Sequence, residues 1–266
     1  MNKLFLLLIT LIILTSCDSG PNLSEVCQNN EQLCQVFTED SWCKSERKHV
    51  IMTSAKLNNS QQDIDKYNLL LAYEAYGKCV RFAKKIEHIK LKGKKSLRVE
   101  NYLKSQQLIK TLSEQTRSSQ HPSLLYYHWS RYLDKNALNK FLAMEGSAAL
   151  ETPNGQFNLA SYYIKSDDSK TLSLLFHALE LYQEGEQIND EIFSSLATIF
   201  QGNNKVKQAY IWLKIYHLYS PDKEGVTDQS LIDFAKLHHL KQPLLDQVAE
   251  QTLVNIEQSA FKAPRF

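Results

Sequence analysis

Glycine and proline are scarce in this sequence: 8 and 6 of 266 residues, about 5% together against roughly 12% in an average protein. Phosphate cradles and dinucleotide fingerprints need several glycines within a few residues, and here no two lie closer than Gly146 and Gly155, so both are excluded. So few breakers also imply long helices joined by short turns. An excess of charge of one sign is lacking too. The formal net charge of +2 argues against generic nucleic-acid binding. GxSxG, HExxH and P-loop motifs do not occur, so the chain is expected to be no enzyme and to need neither cofactor nor metal. His238 and His239 are adjacent and would point ~100° apart on a helix, too far apart to chelate one ion. His128, His177 and His217 sit among apolar neighbours, where a hydrogen-bonded structural role is expected.

What is present begins with an address. Residues 1–16 read as a lipoprotein signal peptide: Lys3 is followed by an 11-residue stretch from Leu4 to Leu14 that only Thr10 interrupts. At ~1.5 Å per residue the run spans only ~16 Å, too short for a ~30 Å bilayer core. Leu14-Thr15-Ser16-Cys17 resembles the bacterial lipobox, whose Cys receives a diacylglycerol and becomes the first mature residue. Several acyl chains, palmitate among them, on Cys17 would anchor the protein stably where one would not. Asp18 resembles the signal that retains enteric lipoproteins in the inner membrane. Other Gram-negative groups read later positions, so inner or outer membrane stays open.

The remaining cysteines, Cys27, Cys34, Cys43 and Cys79, are even in number and confined to the first third of an exported chain, which predicts two disulfides in an oxidising periplasm. Lys48–Leu57 reads as a helix, Asn58 to Ser60 as a turn, and Asp63–Ile89 as a long helix. In an antiparallel hairpin about residue 60, Cys43 and Cys79 lie 17 and 19 residues from the turn. This predicts Cys43–Cys79 and, by remainder, Cys27–Cys34. No cysteine or histidine has zinc-ligand spacing.

The long helix leads into a basic segment: Arg81, Lys84, Lys85, Lys90, Lys92, Lys94, Lys95 and Arg98 against Glu87 alone. The plainer reading is a solvated helix end plus a connection at Gly93. The second is contact with anionic headgroups, each cation contributing ~1 kcal/mol. A third helix, Leu97–Thr116, carries Val99, Tyr102, Leu103, Ile109 and Leu112 towards a core.

Past residue 120 the chain begins to resemble itself. Leu159-Ala160-Ser161-Tyr162-Tyr163 matches Leu196-Ala197-Thr198-Ile199-Phe200 at an offset of 37, and the register continues from Leu172, Leu175, Leu179 and Tyr182 to Ala209, Trp212, Tyr216 and Tyr219. Leu125, Trp129, Leu138 and Phe141 repeat it at an offset of 34, and Phe234-Ala235 at 38. Two helices per 34 to 38 residues describe a tetratricopeptide-like array. Leu196-Ala197-x-x-Phe200, Ala209-x-x-x-Leu213 and Pro221 fall on that family's pattern. The unit from Leu159 departs from it, with Leu172 at the small position and Glu184 in place of Pro, and this leans towards Sel1-like repeats. Together with the lipobox, the clustered cysteines and the Leu-Glu-Thr-x-x-x-Gln-Phe-x-Leu-Ala approach from Leu150, the chain resembles a family of Gammaproteobacterial lipoproteins defined only as a domain of unknown function. The resemblance implies a location and a fold, and no activity.

The expected architecture is therefore all-α: a disulfide-stapled helical region over 17–120 and a right-handed repeat array over 121–266, closed by an amphipathic helix Leu244–Ile256 with Leu245, Val248, Ala249, Thr252 and Ile256 on one stripe. First helices of such arrays line a groove that takes peptides or extended segments. By register, Tyr127, Arg131, Ser161, Lys165, Thr198 and Gln201 would face it, with Arg131 and Lys165 able to hold a carboxylate. The plain alternative is ordinary solvated side chains. The function expected is a membrane-anchored periplasmic scaffold for another envelope protein, with an enzyme acting on peptidoglycan from the groove as the alternative.

Overall fold

The computed structural model describes residues 22–86, 93–223 and 225–264. Its described residues form helices and no strands, and the chain divides into two units, 1–116 and 117–266.

The N-terminal unit holds α1 (Leu23–Asn29), α2 (Glu31–Cys34), α3 (Lys44–Ser60), α4 (Asp63–Ala83) and α5 (Gly93–Thr116). Asn22 and Glu25 open α1 with a reciprocal capping box, satisfying two backbone donors that the first turn would leave bare. Helices α3 and α4 form the expected hairpin, but α3 runs through Asn58 to Ser60, and the reversal is made by Gln61 in the left-handed conformation. Cys43–Cys79 ties the open end of that hairpin, and Cys27–Cys34 joins α1 to α2. Closing a loop of 36 residues stabilises by about 4 kcal/mol in the chain-entropy account.

Helix α4 buries the residues its periodicity marks, Leu69, Ala72, Tyr73, Tyr76, Val80 and Ala83. It ends at Ala83, short of Ile89, and residues 87–92 lie outside the described ones. Helix α5 departs further from expectation. It starts at Gly93, which is a helical residue here and not a connection, and it turns a polar face inward. Arg98, Asn101, Ser105, Ser113 and Thr116 are buried, whereas Val99 and Leu103 are exposed and Tyr102 and Ile109 only half-buried. Ser105, Ser113 and Thr116 donate to carbonyls of their own helix, which removes the penalty for burying a hydroxyl. Small side chains then allow close approach: a Cβ on Gly77 of α4 would stand 2.9 Å from Ser105 Oγ.

The non-helical stretch from Gln35 to Asp40 packs against these helices. Phe37 is buried against the ring of Tyr76, 4.2 Å between centroids. Arg47 of α3 donates to the carbonyls of Cys34 and Phe37. Asn101 exchanges two hydrogen bonds with the backbone of Thr38, at 3.1 and 2.8 Å. Arg98 grips Asp40 with Nε and Nη2 and donates through Nη1 to Ala83 O at 2.7 Å. This hydrogen-bonded guanidinium outweighs desolvation and holds the Asp40 carboxyl below its ordinary value.

The C-terminal unit holds α6 (Pro122–Tyr132), α7 (Lys135–Leu142), a one-turn 3-10 helix (Ala148–Leu150), α8 (Pro153–Tyr163), α9 (Asp168–Leu181), α10 (Glu191–Gly202), α11 (Val206–Tyr219), α12 (Asp228–Leu237) and α13 (Gln242–Glu257). Asp134, Thr152, Asp167 and Thr227 cap four of these starts with side-chain oxygens. Three antiparallel pairs follow one another: α6 with α7, α8 with α9, α10 with α11. Leu125, Leu159 and Leu196 are buried at matching register, as are Phe141, Leu175 and Trp212 on the second helices. Ala160, Ala197 and Ala235 keep the small position buried in α8, α10 and α12. Tyr182 and Tyr219, also in register, accept hydrogen bonds from Asn189 N and Ile188 N and so hold the connection into α10.

Helix α13 closes the core by lying on α11 with Leu245, Ala249, Leu253 and Ile256 buried. Val248 is exposed and Thr252 half-buried, so the expected stripe is rotated towards Leu253. The segment after it places Phe261 against Phe176 and Trp212.

Gly155 is where glycine is required. A Cβ there would fall 2.5 Å from Leu150 O, a backbone atom that cannot swing away. Gly155→Ala is expected to lower stability by ~1–3 kcal/mol. In Gly77→Ala the contact is with the Ser105 hydroxyl and is offset by the ~1 kcal/mol better helix propensity of alanine. Urea unfolding should rank the two in that order; equal effects would contradict the reading.

Candidate functional site

The expected groove residues sit on α6, α8 and α10, and the structure treats them unequally. Tyr127 is fully buried, edge-on to His128 and Tyr132, and cannot face a ligand. Helix α6 buries Leu124, Leu125, Tyr127 and His128, a wider arc than the single stripe the register assumed. Arg131 is exposed and lies 5.8 Å from the Tyr127 ring centroid, a cation–π contact within one helix. Ser161 is half-buried and donates to Phe157 O, while exposed Thr198 donates to Ser194 O at 2.8 Å. Lys165 lies in the turn beyond α8, and Gln201 near the end of α10; both are exposed. Of the six, Arg131 and Tyr127 meet each other, and Ser161 and Thr198 spend their hydroxyls on their own helices.

Sequence reasoning missed a different constellation across α6 and α8. Tyr126, Trp129, Tyr162 and Tyr163 are half-buried and touch in series, edge to face, with centroids 5.6, 5.5 and 4.9 Å apart. Lys170 Nζ stands 3.9 Å above the Tyr163 ring and pairs with Glu145, which also accepts from the Tyr163 hydroxyl at 2.7 Å. The Glu145 hydrogen bond pushes the Lys170 ammonium up to about 12, and Lys170 holds the Glu145 carboxyl down. The signal available in the sequence was the aromatic density of these two helices.

The basic segment is divided. Arg98 is not part of any solvated patch: it is buried and consumed by Asp40 and Ala83 O, because that stretch of α5 faces the core. Lys94 contributes to the field that lowers Asp40. Lys84 Nζ lies 3.9 Å over the Tyr102 ring. Arg81, Lys85 and Lys95 are exposed. Lys90 and Lys92, like Cys17, fall outside the described residues. Cys43, Glu46 and Cys79 place ligand atoms within 4.8 Å of one another, but both sulfurs are committed to the disulfide, leaving one carboxylate and no metal site there.

A family model covers residues 14–214. The chain belongs to the family described as "Protein of unknown function (DUF2989)". No curated protein and no solved structure matches it. The family match takes in the four cysteines, the basic segment and all six expected groove positions, and it ends within α11, so α12, α13 and the closing segment lie beyond it.

The three inner histidines all have partners within the fold. His217 hydrogen-bonds Val226 O and Asp228, and His128 packs between Tyr127 and Tyr132. His177 of α9 sits on a cleft of about 410 Å³ beside Ser173, Glu180 and Pro264, with Nε2 on Glu151 and Nδ1 3.4 Å from Glu180. Glu180 also accepts from Ala263 N at 2.8 Å, so the imidazole is tied to the segment that closes the core. Desolvation pushes the imidazole pKa down, but the hydrogen bonds to Glu151 and Glu180 outweigh it, and the net shift is upward from 6.5. A raised folded pKa means that the stabilisation is full below 6.5 and is lost as pH rises through the raised value. An NMR titration should place His177 above 6.5, with Glu151→Gln moving it down; a midpoint at or below 6.5, or one indifferent to that change, would contradict the assignment.

Proposed function

We propose that this protein is a lipoprotein scaffold of the Gram-negative envelope: exported, lipidated on Cys17, tethered in the periplasm, and recruiting another envelope protein through its C-terminal unit. The observation that carries the reading is the succession of helix pairs whose equivalent positions are buried alike, Leu125 with Leu159 and Leu196, Phe141 with Leu175 and Trp212. Stacked pairs of this kind bury a shared core and leave an extended surface whose use is recognition. The tetratricopeptide or Sel1-like assignment follows from the 34 to 38 residue offsets of those positions.

Export is supported by the two cystines, since disulfides persist in oxidising compartments. No described helix is long and apolar enough to cross a membrane; the tether in this reading is the lipid on Cys17. Asn22, where α1 is capped, lies five residues after Cys17, a reach of at most ~18 Å. Recognition would use the solvent side of α10, where Thr198 and Gln201 are exposed, together with Arg131 and Lys165. Tyr127 is withdrawn from that surface.

The test is made in cells. Wild-type protein should incorporate labelled palmitate, and a photocrosslinker at Thr198 or Gln201 should give one discrete protein adduct that the same probe at Lys207 of α11 does not. Label persisting in Cys17→Ala would refute the lipid anchor. The same pattern from all three probe positions, or no adduct from α10, would refute the scaffold surface.

A further inference from the structure

Helices α4 and α5 present one shared face that none of the preceding functions uses. Their antiparallel contact is set by Gly77 against Ser105 and Ala83 O against Arg98. To one side of that contact, Glu74, Lys78 and Arg81 of α4 and Tyr102 and Gln106 of α5 line a shallow cleft of about 290 Å³. Lys85 falls one turn beyond Arg81, and Lys95 and Val99 fall two turns and one turn before Tyr102, on the same stripes. Among the described residues between 78 and 99 there is no Asp or Glu, so Glu74, one turn before Lys78, is the single carboxylate in the cleft lining.

The same face carries apolar side chains that the core does not take. Phe82 is 53% exposed and Leu103 60%, with Val99 at 37%. Arg81 and Lys85 flank the Phe82 ring at 5.3 and 5.8 Å, and Lys84 covers Tyr102 at 3.9 Å. Cations therefore lie against two aromatic rings, Phe82 and Tyr102, on a surface that also exposes Val99 and Leu103. Burying Arg98 against Asp40 fixes the two helix ends, so this surface is held in shape by the fold.

We infer that this face of α4 and α5 is a docking surface for an anionic phospholipid bilayer, with Arg81, Lys85 and Lys95 at the headgroups and Phe82 and Leu103 entering the interface. Lipid headgroups are the partner because both features find a counterpart in one layer: phosphates for the cations and the acyl boundary for the apolar side chains. Leu103 and Val99 have no use on a nucleic-acid backbone, which offers charge and no apolar depth. The surface is read from α4 and α5 alone and stands whether or not Cys17 is lipidated. With a tether it would orient the body on the membrane, the short chain raising its local concentration there.

The test uses the unlipidated body, residues 18–266, which contains every described contact, with its disulfides formed. Co-sedimentation is measured with vesicles of phosphatidylcholine alone and of phosphatidylcholine mixed with phosphatidylglycerol. Binding should appear with the mixed vesicles only and weaken about fivefold in partition coefficient for each cation removed. Arg81→Glu, Lys85→Glu and Lys95→Glu together should abolish it. Lys205→Glu, Lys207→Glu and Lys236→Glu, an equal change of net charge in the other unit, should leave most of it. Phe82→Ser with Leu103→Ser should weaken it at unchanged charge. All altered residues are exposed, and circular dichroism reports that each variant keeps its helices. Equal binding to both vesicles, indifference to either α4/α5 variant, or capture by soluble heparin with no capture by vesicles would overturn the proposal.

Discussion

A single guanidinium organises the N-terminal unit. Arg98 is almost fully buried, and it meets a carboxylate from a non-helical loop and a carbonyl from the end of α4. A charge so placed is tolerable only when paired and hydrogen-bonded. Asp40 cannot leave without stranding Arg98, and the loop that carries Asp40 is held in addition by Asn101 and Arg47. Because this stretch also brings Phe37 onto Tyr73 and Tyr76, it ties the polar clamp to the apolar core of α4. The Cys43–Cys79 bridge secures the same end of the hairpin covalently.

The clamp also explains why the basic stretch is not one patch. Once Arg98 turns inward and Lys94 lies in the field of Asp40, the exposed cations belong to two helical stripes that flank Phe82 and Tyr102. The C-terminal unit is organised differently, by repetition: an equivalent leucine and an equivalent small residue recur in the first helices, and aromatic or aliphatic groups fill between them. Its closure is not a further repeat, since α13 lies along α11 and the last described residues return to α9 through Phe261 and Ala263.

Much of this was legible in the sequence. Even spacing about a turn placed Cys43 opposite Cys79, and the offsets of 34 and 37 aligned residues that are buried alike. The face of α5 was not legible, because its serines and threonine satisfy themselves on their own helix and because Arg98 and Asn101 find partners 58 and 63 residues away. Apolar periodicity marks Val99 and Leu103, and the fold sets them outside. Tyr127 failed for a related reason: α6 buries two adjacent stripes, and a repeat pattern carries information on one. The His177 cluster depends on Glu151 and on the returning backbone at Ala263, 26 and 83 residues away from their partners, which no local pattern links.

The central claim is that the Arg98–Asp40 pair holds the loop, α4 and α5 as one body. A double-mutant cycle tests it directly, with Arg98→Met, Asp40→Leu and the combination followed by urea unfolding and by amide exchange at residues 37–40. Each single change should cost ~3–5 kcal/mol by stranding a buried charge, while the double variant should recover a large share, and exchange at Thr38 should rise with each single change. Additive losses in the double variant, with Thr38 protection unchanged throughout, would contradict the account.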